Sequence, residues 1–339
     1  MTKKKKILYV GNNLSKHGFN TTYIEILGHL LEKEGFNVTY SSSIKNQLLR
    51  MIAMFIATIK NSIKVNYIII DTYSTFGFYY ALITSQVARI FNTKYIAILH
   101  GGNLPVRLKK SPFLCDLIFK NAYLLVAPSG YLLNAFKDKY PTNLLYIPNT
   151  IQLDNYTYRE PIFDVPKLLW VRSFSKIYNP KMAIDVVYNL KKTHPNAQLC
   201  MVGPDNENLI DECIEYAKNL NVQVKFTGKL LKSEWIELSK EYNVFINTTH
   251  FDNTPISVIE AMALGLPVVS TNVGGIPFLL SNNETALLVD DNDATSMTRA
   301  IIEIFENDNL AKKISHNSRF LVESFDWKQV KQKWIEILK

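Results

Sequence analysis

Residues 251–277, FDNTPISVIEAMALGLPVVSTNVGGIP, read as a loop, a helix, a turn, a buried strand and a glycine loop. Thr254 and Pro255 suit a helix start, Thr as a cap and Pro in the first turn. Ile256, Ile259, Met262 and Ala263 keep helical spacing, and Gly265 and Pro267 end the helix. Val268–Val269–Ser270 is a short strand, followed by Gly274–Gly275. Asp252 lies just before the helix, and Glu260 lies eight residues further on. A helix N-terminus offers free N–H groups and a positive dipole end, which suits an anionic ligand such as a diphosphate. The two acids suit hydroxyl groups of the same ligand. An ordinary α/β crossover with a capping Thr and a solvated Asp fits the pattern as well, because the ends of such crossovers are frequent but not obligatory ligand sites.

The segments before this stretch alternate between strand and helix. Leu168–Val171 is a strand that runs into the polar loop Arg172–Asn179, and Pro180 opens a helix. Gln198–Val202 and Val224–Thr227 are strands that reach Gly203 and Gly228. The first half of the chain does the same. Ile7–Val10 leads into a loop with Gly11 and Gly18, then a helix over Thr21–Glu34 and a strand at Val38–Tyr40. Tyr67–Asp71 is an apolar strand ending in an acid, and Tyr95–Leu99 runs into His100–Gly101–Gly102. Two such runs predict two α/β domains with parallel sheets, whose ligands bind beyond the carboxyl ends of the strands. Arg172 stands at such an end and suits forked contact with phosphate oxygens. Lys176, four residues on, suits a point charge. His100 is either a site residue or a polar loop residue. The spacing of Gly11 and Gly18 is not G-x-G-x-x-G, so both ligand approach and simple chain turning stay open.

The run TPISVIEAMALGLPVVSTNVGGIP resembles the donor-binding signature of glycosyltransferase family 4. That signature has two Glu separated by seven residues. Glu260 matches the second, Asp252 stands at the first, Asn253 replaces a common Gly, and Phe278 stands where a Glu is usual. The resemblance implies the α/β GT-B architecture, two Rossmann-like domains with parallel sheets facing across a cleft. It implies an acceptor-binding domain over 1–150, a linker over 151–166, a nucleotide-sugar-binding domain over 167–319, and a terminal helix over 320–339 that packs back on the first domain. It places Arg172 and Lys176, with Lys181 as the alternative, on the departing diphosphate. Glu260 would accept from the ribose and Asp252 from the sugar, with Gly203, Gly228, Thr254, Pro255, Ile256 and Ser257 completing the donor site. Gly18 is the best match for the glycine of the first cleft loop, with Gly11 nearby. His100 would face the transferred sugar, and Gly101 and Gly102 would belong, with Gly11 and Gly18, to the acceptor or cleft loops. The implied reaction is retaining, metal-independent transfer of a hexosyl or N-acetylhexosaminyl group from a nucleotide sugar to a glycan or lipid-linked acceptor, in cell-surface polysaccharide synthesis. The nucleotide sugar is a co-substrate, and no cofactor or metal is expected. A related epimerase or phosphorylase, or a catalytically silent binding protein, would use the same fold.

The composition agrees with a globular two-domain chain: 339 residues, 47% hydrophobic and 20% charged. Charge is uneven. Residues 1–160 hold 19 Lys/Arg against 8 Asp/Glu, and residues 161–339 hold 19 against 22. A basic first half fits an anionic membrane surface, because Lys3–Lys6, Lys60, Lys64, Arg107, Lys109 and Lys110 are interleaved with aromatic and aliphatic residues. Solvated lysines are the plainer reading. No nucleic-acid-binding motif is present, and no nucleic-acid partner is expected. Leu48–Ile63 is interrupted by Arg50, Lys60 and Asn61, so it predicts a helix against a core or a bilayer surface rather than a span. Asn103–Ser111, basic and containing Pro105, reads as an acceptor loop. MTKKKKILYVG lacks the apolar length of a signal peptide. Three cysteines without metal spacing suit a reducing cytoplasm. The expected location is cytoplasmic, peripheral on the inner face of the cell membrane.

Overall fold

The computed structural model describes residues 5–17, 21–160 and 162–339, so Gly18 and the first two lysines of Lys3–Lys6 lie outside the described residues. The chain forms two compact units, one of Met1–Thr150 with Trp327–Lys339 and one of Ile151–Asp326. Each is a six-stranded parallel sheet with helical crossovers.

In the first unit the strands are β1 (Lys6–Val10), β2 (Asn37–Ser41), β3 (Tyr67–Thr72), β4 (Tyr95–Leu99), β5 (Leu124–Ala127) and β6 (Leu144–Tyr146), in the spatial order β2-β1-β3-β4-β5-β6. Every residue of β3 and β4 is buried. This is why they read as unbroken apolar runs: helices cover both faces of a central parallel strand, so no solvent face imposes alternation. One face carries Phe78, Ile118, Phe119 and Phe136. The other carries Ile24, Leu27 and Leu31 together with Trp334, Val330 and Leu338 from the end of the chain. The helix Trp327–Ile337 is held there by apolar burial and by Glu34, which accepts from Trp327 Nε1 at 3.1 Å and pairs with Lys331 at 3.2 Å.

In the second unit the strands are β7 (Lys167–Val171), β8 (Gln198–Val202), β9 (Lys225–Gly228), β10 (Val244–Asn247), β11 (Val268–Thr271) and β12 (Leu287–Val289), in the order β12-β11-β10-β7-β8-β9. This is the doubly wound Rossmann order. Its topological switch point, where successive crossovers leave in opposite directions, lies between β7 and β10. In the first unit the corresponding point lies between β1 and β3.

Four expectations are corrected. Residues 151–166 pack on the second unit rather than running as a linker: Ile151, Leu153 and Tyr156 are buried, and Arg159 N donates to Leu264 O. The terminal segment does not turn at 320. The helix Asp308–Glu323 stays with the second unit, where Ala311, Ile314 and Val322 are buried, and the return begins at Trp327. Asn103–Ser111 is helical over Leu104–Lys110, because Pro105 sits in its first turn, where no N–H is required. Thr254 does not cap its helix. Ile256–Leu264 starts after Pro255 with no side-chain cap bond.

Candidate functional site

The strands of the second unit are parallel, so Arg172, Gly203, Gly228 and the loop before Ile256 all gather at one sheet edge. Arg172 follows β7, and the loop carrying Asp252 follows β10, so the two flank the switch point. Their side chains form an ion pair from Arg172 Nη2 to Asp252 Oδ2. The guanidinium also lies 4.4 Å from the centre of the Tyr178 ring. Burial pushes the Arg172 pKa down to about 10, opposed by the field of Tyr178, so the group stays cationic at neutral pH. Its Nε is buried without a partner.

Backbone contacts hold these groups in place. A Cβ at Gly203 would stand 1.7 Å from the carbonyl oxygen of Arg172, so only glycine lets β8 end against that turn. A Cβ at Gly275 would stand 1.9 Å from Asn253 O, and Gly275 N donates to Asp252 O at 2.7 Å. The glycine pair therefore buttresses the Asp252–Asn253 loop. At the mouth of the Ile256–Leu264 helix the hydroxyls of Thr254 and Ser257 are buried with no partner. Pro255 and Ile256 set the helix start. Gly228 ends β9 at a positive φ of 69°, and its carbonyl accepts from Gly203 N.

Glu260 is buried one turn inside that helix, and its Oε1 receives both the Tyr156 hydroxyl at 2.7 Å and Lys232 Nζ at 2.5 Å. Burial first, and then the Glu260 charge, raise the Tyr156 phenol far above its ordinary range, so it remains a donor. Lys176 is exposed, in a 3-10 turn whose backbone and preceding Ser175 bond Glu207. Lys181 is engaged with Glu212 at 2.6 Å, which together with the Glu212 field raises its pKa.

The first unit builds a different arrangement at its own carboxyl edge. His100 directly follows β4, and its Nε2 lies 3.0 Å from Oδ1 of Asp71 on β3. Tyr9 donates to the same oxygen at 3.1 Å. The Tyr73 ring stacks on the imidazole, and the Tyr23 ring meets it edge-on, each at 5.3 Å between centroids. Asp71 Oδ2 is buried without a partner, and a Cβ at Gly11 would lie 2.5 Å from it. Gly11, Asn12, Asp71, Tyr73 and Tyr80 line a small recess. Gly101 has a positive φ of 98°, and Gly102 O accepts from Tyr131 at 3.3 Å. Burial, with Asp71 adding to it, raises the phenols of Tyr9 and Tyr73 well above their usual values, so both rings are neutral.

The structure thus gathers Arg172, Asp252, Thr254, Ser257, Gly203 and Gly228 in the second unit, and His100, Gly101, Gly102 and Gly11 in the first. Sequence reasoning did not find Tyr156, Lys232, Tyr178 or the partnership of Asp71 with His100. Asp71 carried a signal, an acid closing an apolar strand. Lys232 and Tyr156 carried none, because each reaches Glu260 through folding over 28 and 104 residues of separation. Among the described residues no group of three or more His, Cys, Asp or Glu side chains is placed to hold a metal ion.

Two Rossmann-like units of six parallel strands define the GT-B class of fold. The chain superposes on a sucrose-phosphate synthase from Thermosynechococcus elongatus with a TM-score of 0.79 at 18% identity, over 98% of each chain. It also superposes on Anabaena Alr3699/HepE, solved in complex with UDP and glucose, with a TM-score of 0.75 at 16% identity, over 98% of this chain and 99% of that one. Residues 160–321 match the model of the glycosyl transferases group 1. It is 32% identical over 130 residues to the capsular polysaccharide biosynthesis glycosyltransferase CapM of Staphylococcus aureus, covering 38% of this chain and 34% of that protein. The aligned part spans between about a third and under two thirds of the length of the curated relatives it matches.

Proposed function

We propose that the protein transfers a sugar from a nucleotide-sugar donor to a glycan or lipid-linked acceptor. The observation that carries this reading is the second unit's switch point. There, a partly buried Arg172 that stays cationic at neutral pH and the unpartnered hydroxyls of Thr254 and Ser257 adjoin a helix N-terminus. Breaking the bond from sugar to phosphate builds negative charge on the departing diphosphate, and groups set in advance stabilise that charge without reorganisation. Arg172 exchanges its Asp252 partner for phosphate oxygens, and Lys176, exposed in the same loop, adds a second cation. Asp252, once released, accepts from a sugar hydroxyl. Glu260 already uses Oε1 for Tyr156 and Lys232, so Oε2 serves the ribose hydroxyls. The carboxylate is held in one orientation, which favours a rigid diol contact.

We assign sugar positioning to His100, whose ring is fixed by Asp71 and Tyr73. Retention at the anomeric carbon follows if the acceptor attacks the face the diphosphate leaves and passes its proton to the departing phosphate. In this reading the Arg and Lys cations serve in place of a metal, the sugar is a hexosyl or N-acetylhexosaminyl group, and the product is a cell-surface polysaccharide made on the cytoplasmic side of the membrane. The sequence match to CapM supports the polysaccharide assignment.

Calorimetric titration with uridine, guanosine and adenosine diphosphates, followed by turnover with the corresponding sugar nucleotides, tests the proposal. Binding of one diphosphate and product formation that survives EDTA are expected. Absence of binding to all three would refute it.

A further inference from the structure

The helix Gln47–Ser62 is built inside out. Its buried residues are Arg50, Met54, Thr58 and Ser62, and only one of these is apolar. Thr58 and Ser62 can be buried because each hydroxyl donates at 2.7 Å to the carbonyl four residues back, and Arg50 Nη1 donates to Ile44 O at 3.0 Å. The outer face carries Leu48, Leu49, Ile52, Phe55, Ile56 and Ile59, and Ile63 continues the stripe just beyond the helix at 76% exposure. Leu48, Leu49 and Ile52 are each at least half exposed. A surface helix of a globular unit normally shows the reverse pattern, and a contiguous exposed apolar stripe marks an interaction surface.

The charge around the stripe selects its partner. Lys45, Lys60 and Lys64 stand exposed at its ends, and no acidic residue occurs between Glu34 and Asp71. A second copy of the chain would bring these lysines against their own images. An apolar face flanked by lysines matches the boundary between acyl chains and anionic headgroups. No helix among the described residues is long and apolar enough to cross a membrane, so the mode is lying on the surface.

We propose that the helix Gln47–Ser62 docks the protein on an anionic lipid bilayer, with the apolar stripe in the acyl boundary and Lys45, Lys60 and Lys64 on headgroup phosphates. This surface is separate from the donor site and does not rest on the transfer reaction.

Flotation of the full chain with vesicles of phosphatidylcholine and phosphatidylglycerol in a two-to-one ratio, against phosphatidylcholine alone, tests the proposal. The full chain is expected to float with the anionic vesicles and to lose that binding as salt is raised. The Leu49→Gln, Ile52→Gln, Ile56→Gln triple variant should lose at least about a hundredfold in vesicle affinity. The Lys60→Gln, Lys64→Gln pair should lose about fivefold per lysine at low salt. Both should keep the wild-type nucleoside diphosphate affinity, which reports on the other unit. Should the triple variant not fold, Phe55→Trp gives an independent reading, a blue shift of its emission on anionic vesicles. Triple-variant binding equal to wild type, or an unshifted Phe55→Trp on anionic vesicles, would overturn the proposal. So would a wild type that ignores both vesicles and sediments as a dimer the triple variant abolishes.

Discussion

The two carboxyl edges of this protein solve different problems with the same strand geometry. In the second unit the edge is ionic. Arg172 pairs with Asp252 and Lys232 with Glu260, and glycines press backbone on backbone to hold the loops that carry them. In the first unit the edge is aromatic. One imidazole is held by a buried carboxylate and enclosed by Tyr23 and Tyr73. An ionic edge suits a ligand that brings its own charge. An aromatic edge with one oriented imidazole suits a neutral sugar face. The comparison teaches that the fold supplies the location while the side chains at the switch point supply the chemistry.

The largest expected effect probes the rigidity of the two edges. Gly203→Ala sets a Cβ against the Arg172 carbonyl, which is backbone and cannot swing away, and should cost about 4 kcal/mol or more. Gly11→Ala meets the end of the Asp71 side chain instead and should cost about 1–2 kcal/mol. Denaturant unfolding of both variants measures the difference, and equal costs would remove this distinction between the edges.

Charge separates the edges next. Arg172→Ala should weaken nucleoside diphosphate binding about a hundredfold by calorimetry, while His100→Ala leaves it within about twofold. Unchanged affinity in Arg172→Ala takes that residue out of the donor site.

A subtler test lies within the ionic edge. Glu260→Ala should lose about tenfold in donor affinity and Asp252→Ala about threefold, because Glu260 is buried and fixed while Asp252 must first leave Arg172. The reverse order would exchange their assigned roles. The smallest effect expected on binding is that of Asp71→Asn. It should lower kcat about tenfold by loosening the His100 ring while the KM for donor stays constant. A KM change without a kcat change would make Asp71 merely structural.

Much of this was legible residue by residue. The strands β3 and β4 announce themselves as apolar runs, and Gly265 closes the Ile256–Leu264 helix in the left-handed conformation that its position suggests. Two segments misled for physical reasons. Residues 151–166 lack periodicity, yet they pack because isolated apolar residues (Ile151, Leu153 and Tyr156) each find a place in a core made by others. Thr254 looks like a helix cap, but its hydroxyl is buried with no backbone N–H to serve.

By itself, the sequence determined what repeats locally: the strand and helix periods, the glycines and prolines at their ends, the uneven charge, and which chemical groups stand at strand termini. Only the tertiary structure decided strand order, and therefore that Arg172 meets Asp252 and that Asp71 meets His100. It also decided that Tyr156 and Lys232 converge on Glu260, and that the helix Gln47–Ser62 turns its aliphatic face outward. The reason is that periodicity is written in neighbouring residues, whereas strand order and the choice of buried face depend on how distant crossovers pack on one sheet, and no short stretch of chain records that choice.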